Sequence, residues 1–413
     1  MTAVLERTER QAPAGLRTRQ IHAVAACYFV ASFAALGLPP YLTAILPSLG
    51  DTEARWAGLL YIVPTVFGAL GAPLWGRLAD RYGRKRLLLR AQLGLAVSFL
   101  LAGWADSLAA FTAALVLQGV LGGTFAASNG YLAAALDGHR LSWALTLMQG
   151  AARLALVAAP IVVGSLSPWV SPHRQYALLA VLPLAAALML AALPEPPRPA
   201  PGTPAAGDAE AGNAENSGAE NGDAEEGRAA TGSLRALFAL EFAFVLATVI
   251  SYPYLITLVE ERLPGLGSFA SGVLFALPHV CYPLLARPVH TAVAHRPLLG
   301  AVSGFALVAV ALAGHWGAGT VVSFVALRLL LGAGMTLGLV SLSALAADAC
   351  RGRGPGRMFG TLEFISKAGA VVAGSVAAVS NDVWGPAAPI LAGSAVAALT
   401  ALVSTPTLLR WSR

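Results

Sequence analysis

Six ionisable side chains stand inside long apolar runs: Arg153, Glu241, His279, Arg328, Glu363 and Lys367. On insertion scales a charge near the centre of a membrane helix costs about 2.5–3.5 kcal/mol, so such residues are functional candidates by default. Gln149 with Arg153, and Glu363 with Lys367, are four residues apart and share a helix face. If both faces point inward, they line a cavity with a guanidinium and an ammonium near mid-depth and a carboxylate one turn away. The plainer reading is that Glu363 neutralises Lys367 within one helix. Histidine titrates near neutral pH, which makes His279, together with Glu241, a natural proton carrier. Glu241 also reads as a solvated group near a helix end or a partner for Arg235, and His279, next to Pro278, as structural. Arg328 reads equally as a functional candidate of this kind or as a packing cation paired to another helix.

The elements that must hold these residues are membrane helices. The chain of 413 residues is 57% hydrophobic and only 12% charged, whereas about a quarter of a soluble globule is charged. At about 20 apolar residues per span, there is room for about twelve spans. The net charge of +6 does not gather on a soluble domain, which argues against nucleic acid. Arg7, Arg10, Arg17 and Arg19 precede the first span, and Arg287, Arg296, Arg351, Arg353 and Arg357 fall in later loops of the same side. The other side carries Arg55, Arg174 and Arg262. This asymmetry places both termini in the cytoplasm. Cys27, Cys281 and Cys350 have no metal-ligand spacing, and no nucleophile–base pair is evident, so neither a metal nor an enzymatic activity is expected.

Composition divides the chain into a cytoplasmic tail (1–20), a first six-helix bundle (21–193), an acidic Pro/Gly/Ala-rich linker (194–232), a second six-helix bundle (233–408) and a short cytoplasmic tail (409–413). The linker cannot bury apolar surface and is expected to be disordered. The halves echo one another: Pro73-Leu-Trp-Gly-Arg77-Leu-Ala-Asp80 aligns without gaps on Pro283-Leu-Leu-Ala-Arg287-Pro-Val-His290. Internal repeats of this kind build secondary transporters, whose substrate site lies where the halves meet. The fold expected is all-α and integral to the membrane, with twelve transmembrane helices in two pseudo-symmetric bundles.

Between the second and third apolar runs lies Gly76-Arg77-Leu78-Ala79-Asp80-Arg81-Tyr82-Gly83-Arg84-Lys85-Arg86. It resembles, throughout, the cytoplasmic loop motif G-x-L-A-D-R-x-G-R-K/R of the major facilitator superfamily. The resemblance implies that Asp80 and Arg81 gate the cytoplasmic side, with Gly76, Gly83, Arg84 and Lys85 completing the loop. Gln118-Gly119 resembles part of the family's span-4 motif R-x-x-Q-G-x-G, but Leu115 stands where that motif has Arg. Gly150, Pro160 and Gly164 partly resemble the span-5 antiporter motif, with Ala159 in place of a Gly. Gln118, Gly119, Pro160 and Gly164 also serve helix packing and bending in a plain reading.

The resemblance implies transport by alternating access, driven by a proton gradient without any cofactor, by a monomer in the inner (plasma) membrane. The partners are the lipid bilayer, protons and a small-molecule substrate. Arg153, Arg328 and Lys367 set against Glu363 and Glu241 lead us to expect export of a polar, partly anionic metabolite such as a siderophore or an antibiotic. The alternative is a multidrug antiporter for lipophilic compounds, walled by Tyr28, Tyr41, Tyr252, Tyr254 and Trp143. A nutrient importer and a transport-inactive sensor rank below both.

Overall fold

The computed structural model describes residues 16–136, 138–195, 221–349 and 355–411. Among these there is no strand. The first half comprises α1 (Thr18–Gly37), α2 (Leu42–Ile45), α3 (Ala57–Tyr82), α4 (Arg84–Trp104), α5 (Leu108–Leu121), α6 (Thr124–Ala135), α7 (Gly138–Leu166), α8 (Pro172–Leu179) and α9 (Val181–Ala191). The second comprises α10 (Asn221–Val249), α11 (Leu255–Arg262), α12 (Gly267–Val293), α13 (Pro297–Gly314), α14 (Val321–Ala349), α15 (Pro355–Trp384) and α16 (Ala387–Trp411). Most of the expected linker lies outside the described residues, and α10 begins within it, at Asn221.

Among the described residues nine helical segments are long and apolar enough to cross a membrane, and Ala57–Ala72 and Leu108–Leu121 are shorter apolar helices. Several expected spans are interrupted, each for a local reason. The fourth breaks between α5 and α6 because Gly123 takes φ +87°, a left-handed backbone that only glycine adopts freely. Past α1, Pro39 and Pro40 tighten the chain into a 3-10 turn, since proline cannot donate the next helical hydrogen bond. Gly83, at φ +101°, ends α3 and starts α4, making the basic loop a one-residue corner.

Within the first half α1 packs on α7, and α4 on α5, α8 and α9; within the second, α13 packs on α14 and α16, and α12 on α14. Two pairs of long helices join the halves, α7 with α12 and α3 with α15, and the Pro39–Tyr41 turn touches α11. One hydrophobic cluster crosses that boundary, placing Tyr41, Leu42 and Leu60 with Ile250, Tyr254, Ala373 and Ala377. The cluster at the basic-loop end of the first half, which includes Leu16, Ile21, Leu88, Tyr131 and Leu190, draws only on first-half residues. The halves are therefore knitted together at the end of the bundle opposite the basic loop.

That opposite end also carries a ring of exposed tryptophans: Trp56, Trp104, Trp169, Trp316 and Trp384 are 50–80% exposed at helix ends. Amphipathic indoles collect at the membrane–water interface. Between the two ends the helices present apolar side chains outward, among them Leu188, Val379 and Leu402, as a multi-pass membrane protein must.

Candidate functional site

A cavity of about 580 Å³ opens between the halves. The first half supplies Tyr61, Thr65 and Trp75 from α3, Arg90 from α4 and Gln118 from α5, and the second supplies Val249, Tyr252, Phe275 and Lys367. Aliphatic side chains and glycines form most of the wall, with an aromatic group on one part of it: Tyr252 meets Phe275 edge to face at 5.1 Å and Tyr61 at 6.4 Å. Arg84, Arg90 and Lys367 are cations in the lining, and no carboxylate lines it among the described residues.

The break in the fourth span shapes one wall. A helix end leaves its last carbonyls without intrahelical donors, and here those of Val120 and Leu121 face α3 and α4. Trp75 donates its indole N–H to the Val120 carbonyl at 2.6 Å, and Arg90 Nη1 donates to Leu121 at 2.6 Å. The Arg90 guanidinium lies 3.3 Å over the Trp75 ring. Among the described residues neither Arg90 Nε nor Gln118 Oε1 has a hydrogen-bond partner.

At the opposite end two tyrosines close the space between the halves. Tyr41 donates to the Pro160 carbonyl of α7 at 2.7 Å and reaches the Ser268 carbonyl of α12 at 3.3 Å. Tyr254 accepts from the Gly58 N–H of α3 at 3.0 Å and donates to the Arg55 carbonyl at 3.4 Å. Each tyrosine, one from either half, thus crosses to the other half at one of the two joining helix pairs. Glycine makes this approach possible. A Cβ on Gly58 would meet the Gly374 carbonyl at 2.7 Å, and one on Gly164 would press into Ser268 and the Tyr41 hydroxyl. Outside this seal Arg55 pairs with Asp382 at 3.4 Å, both exposed.

The residues singled out from sequence are distributed unevenly. Lys367 lines the cavity and pairs with Glu363 at 3.1 Å, both side chains half exposed. Ser366 donates a hydrogen bond to Glu241, and Glu363 lies one turn before Ser366 on the same helix. Gln149 is exposed, and Arg153 reaches across the boundary to lie 4.8 Å over the Tyr282 ring. Arg328 is absent from the cavity lining and only 1% exposed. Its Nε donates to the Leu274 carbonyl at 2.8 Å and Nη2 to Phe275 at 2.9 Å. The reason is Pro278, which has no N–H for the Leu274 carbonyl four residues earlier in α12; Arg328 supplies the missing donor. His279 is buried against Tyr252, with Nε2 3.3 Å from the hydroxyl, and it too is absent from the lining.

In the basic loop, Arg84 donates to the Gly130 carbonyl at 3.2 Å, and Lys85 to Ala191 at 2.8 Å and to Leu193. Lys85 sits where α9 presents its negative dipole end. Arg81 is exposed over the Tyr82 ring; the side-chain positions of Gly76 and Asp80 lie outside the described residues. Gln118 belongs to the cavity wall, Gly119 to close packing against Pro64, and Pro160 and Gly164 to the seal. Of the proposed aromatic wall, Tyr252 lines the cavity. Tyr41 and Tyr254 belong to the seal, Tyr28 to the first-half core, and Trp143 packs against His22.

Sequence reasoning passed over Arg90, Trp75 and Tyr61. Arg90 lies four residues beyond Arg86 at the start of an apolar run, where a cation normally extends to the interface and bears no further meaning. The signal that sets it apart is the Gly122-Gly123 pair, which breaks a different helix and turns carbonyls toward it.

Comparison with known proteins fits this architecture. Residues 24–313, well over half of the chain, match the Major Facilitator Superfamily. Over 133 residues, 31% of the chain and 32% of the relative, it is 39% identical to the multidrug resistance protein MdtG of Enterobacter lignolyticus (strain SCF1). Over 156 residues, 37% of the chain and 36% of the relative, it is 35% identical to MdtG of Serratia proteamaculans (strain 568). The matched stretch is thus about a third of each relative's length. Among solved structures it resembles the POT family transporter PepTSo, with a TM-score of 0.73 at 15% identity over 96% of this chain and 99% of that one. It also resembles the human organic anion transporter MFSD10 (TETRAN), with a TM-score of 0.64 at 19% identity over 94% and 99%. At such identities these structures bear on the fold, which is that of membrane transporters.

Proposed function

The chain belongs to the major facilitator superfamily, and from that premise we propose that it exports amphipathic small molecules, neutral or anionic, by proton-coupled alternating access. The observation that carries this reading is the cavity: aromatic and apolar walls, three cations in the lining and, among the described residues, no carboxylate. An apolar pocket with a few placed polar groups binds organic molecules mainly through buried apolar area. The name of the MdtG relatives, multidrug resistance protein, supports the same reading. A polar metabolite such as a siderophore has weaker support, because Arg153 and Arg328, which would hold it, are absent from the lining.

The substrate enters from the basic-loop side, which the positive-inside rule assigns to the cytoplasm together with both termini. With the halves joined at the tyrosine seal, the cavity is closed to the other side. Glu241, held by Ser366 one turn from Glu363, is the proton carrier in this scheme. Its protonation state sets the charge of the α10–α15 contact, and so biases which end of the boundary is closed. A membrane-embedded carboxylate is a common proton relay.

The test is accumulation in a bacterium stripped of its own efflux pumps, expressing this protein or an empty vector. Neutral and anionic amphipathic dyes are expected to accumulate less with the protein, while lipophilic cations are unaffected. Reduced accumulation confined to lipophilic cations, or efflux confined to hydrophilic siderophores, would contradict the proposal.

A further inference from the structure

Arg90 combines three observations that its position near the basic loop does not explain. It lines the cavity at the level of the broken helix. Its guanidinium is fixed in plane by two contacts, stacked on Trp75 at 3.3 Å and tied through Nη1 to Leu121 at 2.6 Å. Its Nε has no partner, and among the described residues no carboxylate pairs with it. A buried donor left unmade is unfavourable by about 1–3 kcal/mol, and guanidinium is built to give two parallel N–H bonds to one planar anion.

The other two cations in the lining are engaged differently. Lys367 is neutralised by Glu363, and Arg84 is bound to Gly130. Among the described residues the contacts of Arg90 are an aromatic ring and a backbone carbonyl, neither of which carries a formal negative charge. Gln118 Oε1, also in the lining and also without a partner, adds an acceptor for a hydroxyl or amide on the same ligand.

We propose that Arg90 is the residue that gives this cavity its selectivity for anionic amphiphiles, binding the carboxylate or sulfonate of the substrate while the aromatic wall holds its apolar body. The inference rests on the export reading above and deepens it. The Trp75 stack has a positioning role: it occupies one face of the guanidinium, so the anion approaches in plane. Bonds to a preorganised, partly desolvated charge are worth more than the same bonds in water.

The experiment compares a carboxylate dye with its methyl ester, using wild type, Arg90→Gln and Arg90→Lys. Binding to the purified protein in detergent is read by dye polarisation, and transport is read in proteoliposomes. We expect Arg90→Gln to weaken binding of the acid at least about tenfold while the ester changes less than about twofold, in line with loss of a charge-assisted contact. Arg90→Lys recovers part of the acid affinity. Acidifying the medium below the dye's own pKa removes the difference between wild type and Arg90→Gln, which a helix-capping role would not do.

Equal loss of acid and ester in a folded Arg90→Gln protein would overturn the proposal and leave Arg90 as a cap for Leu121. So would unchanged affinity for both, or a wild type that binds the ester and rejects the acid. A wild type that binds the acid through Arg90 but transports neither dye would refute the export reading and leave the binding assignment standing.

Discussion

A single cation in an apolar run has two very different fates in this chain, and Arg328 and Arg90 show both. Arg328 answers a vacancy made by Pro278 on another helix, donating to Leu274 and Phe275 in a fully buried place. Replacing it by Leu strands the Leu274 carbonyl, which Pro278 leaves without a helical donor, at about 1–3 kcal/mol, so Arg328→Leu is expected to lower the thermal midpoint in detergent. Because Pro278 creates the need, Pro278→Ala should shrink that penalty. A double-mutant cycle with a coupling near zero would show that the proline is not the cause.

His315 yields a pH prediction at the same scale. It lies in the turn after α13, fully buried, with Nδ1 2.6 Å from the Ala311 carbonyl; a carbonyl only accepts, so Nδ1 carries the proton. Burial, helped by the Arg328 charge and opposed by the bond to Ala311, pushes its pKa down from 6.5 to about 4. A folded pKa below the unfolded one means that the unfolded chain binds more protons between those values. The contribution is therefore present above about pH 6.5 and is lost as pH falls toward 4, on the order of 1–3 kcal/mol in all. Melting curves at pH 7.5 and 4.5 should show a smaller acid loss for His315→Gln than for wild type. Equal losses would remove His315 from the account.

Glu241 is the residue on which coupling is proposed to depend. Glu241→Gln should abolish substrate-driven proton movement while sparing substrate-for-substrate exchange, measured with a pH dye inside proteoliposomes. The sequence marked Glu241, Arg328 and His279 alike, as ionisable groups at membrane depth. It could not separate them, because what separates them is a neighbour on another helix: Ser366, the carbonyl freed by Pro278, and Tyr252.

The long-helix pairs α7–α12 and α3–α15 hold the two halves together. Tyr41 and Tyr254 each bond across one of them, and a typical intramolecular hydrogen bond is worth about 1 kcal/mol net. Tyr41→Phe or Tyr254→Phe should therefore shift the equilibrium several-fold toward opening at that end. Spin labels at the exposed Trp104 and Trp384 positions would read this as a longer distance population. Gly58→Val, forced against Gly374, should open the same end more strongly than either tyrosine change; an unchanged distance distribution for all three would refute the seal.

Much at this scale was legible and some was not. The apolar runs and the basic corner at Gly83 could be placed from charge and hydrophobicity alone, because each is a local property. Gly122-Gly123 stands in the sequence as a glycine pair inside an apolar run. Its backbone break depends on Trp75 and Arg90 accepting the role of donors to the freed carbonyls, a condition written in two other helices. Tyr41 and Tyr254 read as a substrate wall for the same reason, since their distance from the seal partners in sequence hides their closeness in space.

For the whole molecule, the class of protein follows from a chain too apolar to be soluble, with cations gathered on one side and exposed tryptophans on the other. The kind of solute does not follow from composition, because it depends on which few side chains reach one cavity. The direct measurement is transport in proteoliposomes with a pH gradient imposed in either direction, using a neutral amphipathic dye. Proton-coupled export gives uphill dye movement toward the more acidic compartment, reversal when the gradient is reversed, and collapse with a protonophore. Dye movement that ignores the gradient, or that follows the protons in the same direction, would contradict proton-coupled export.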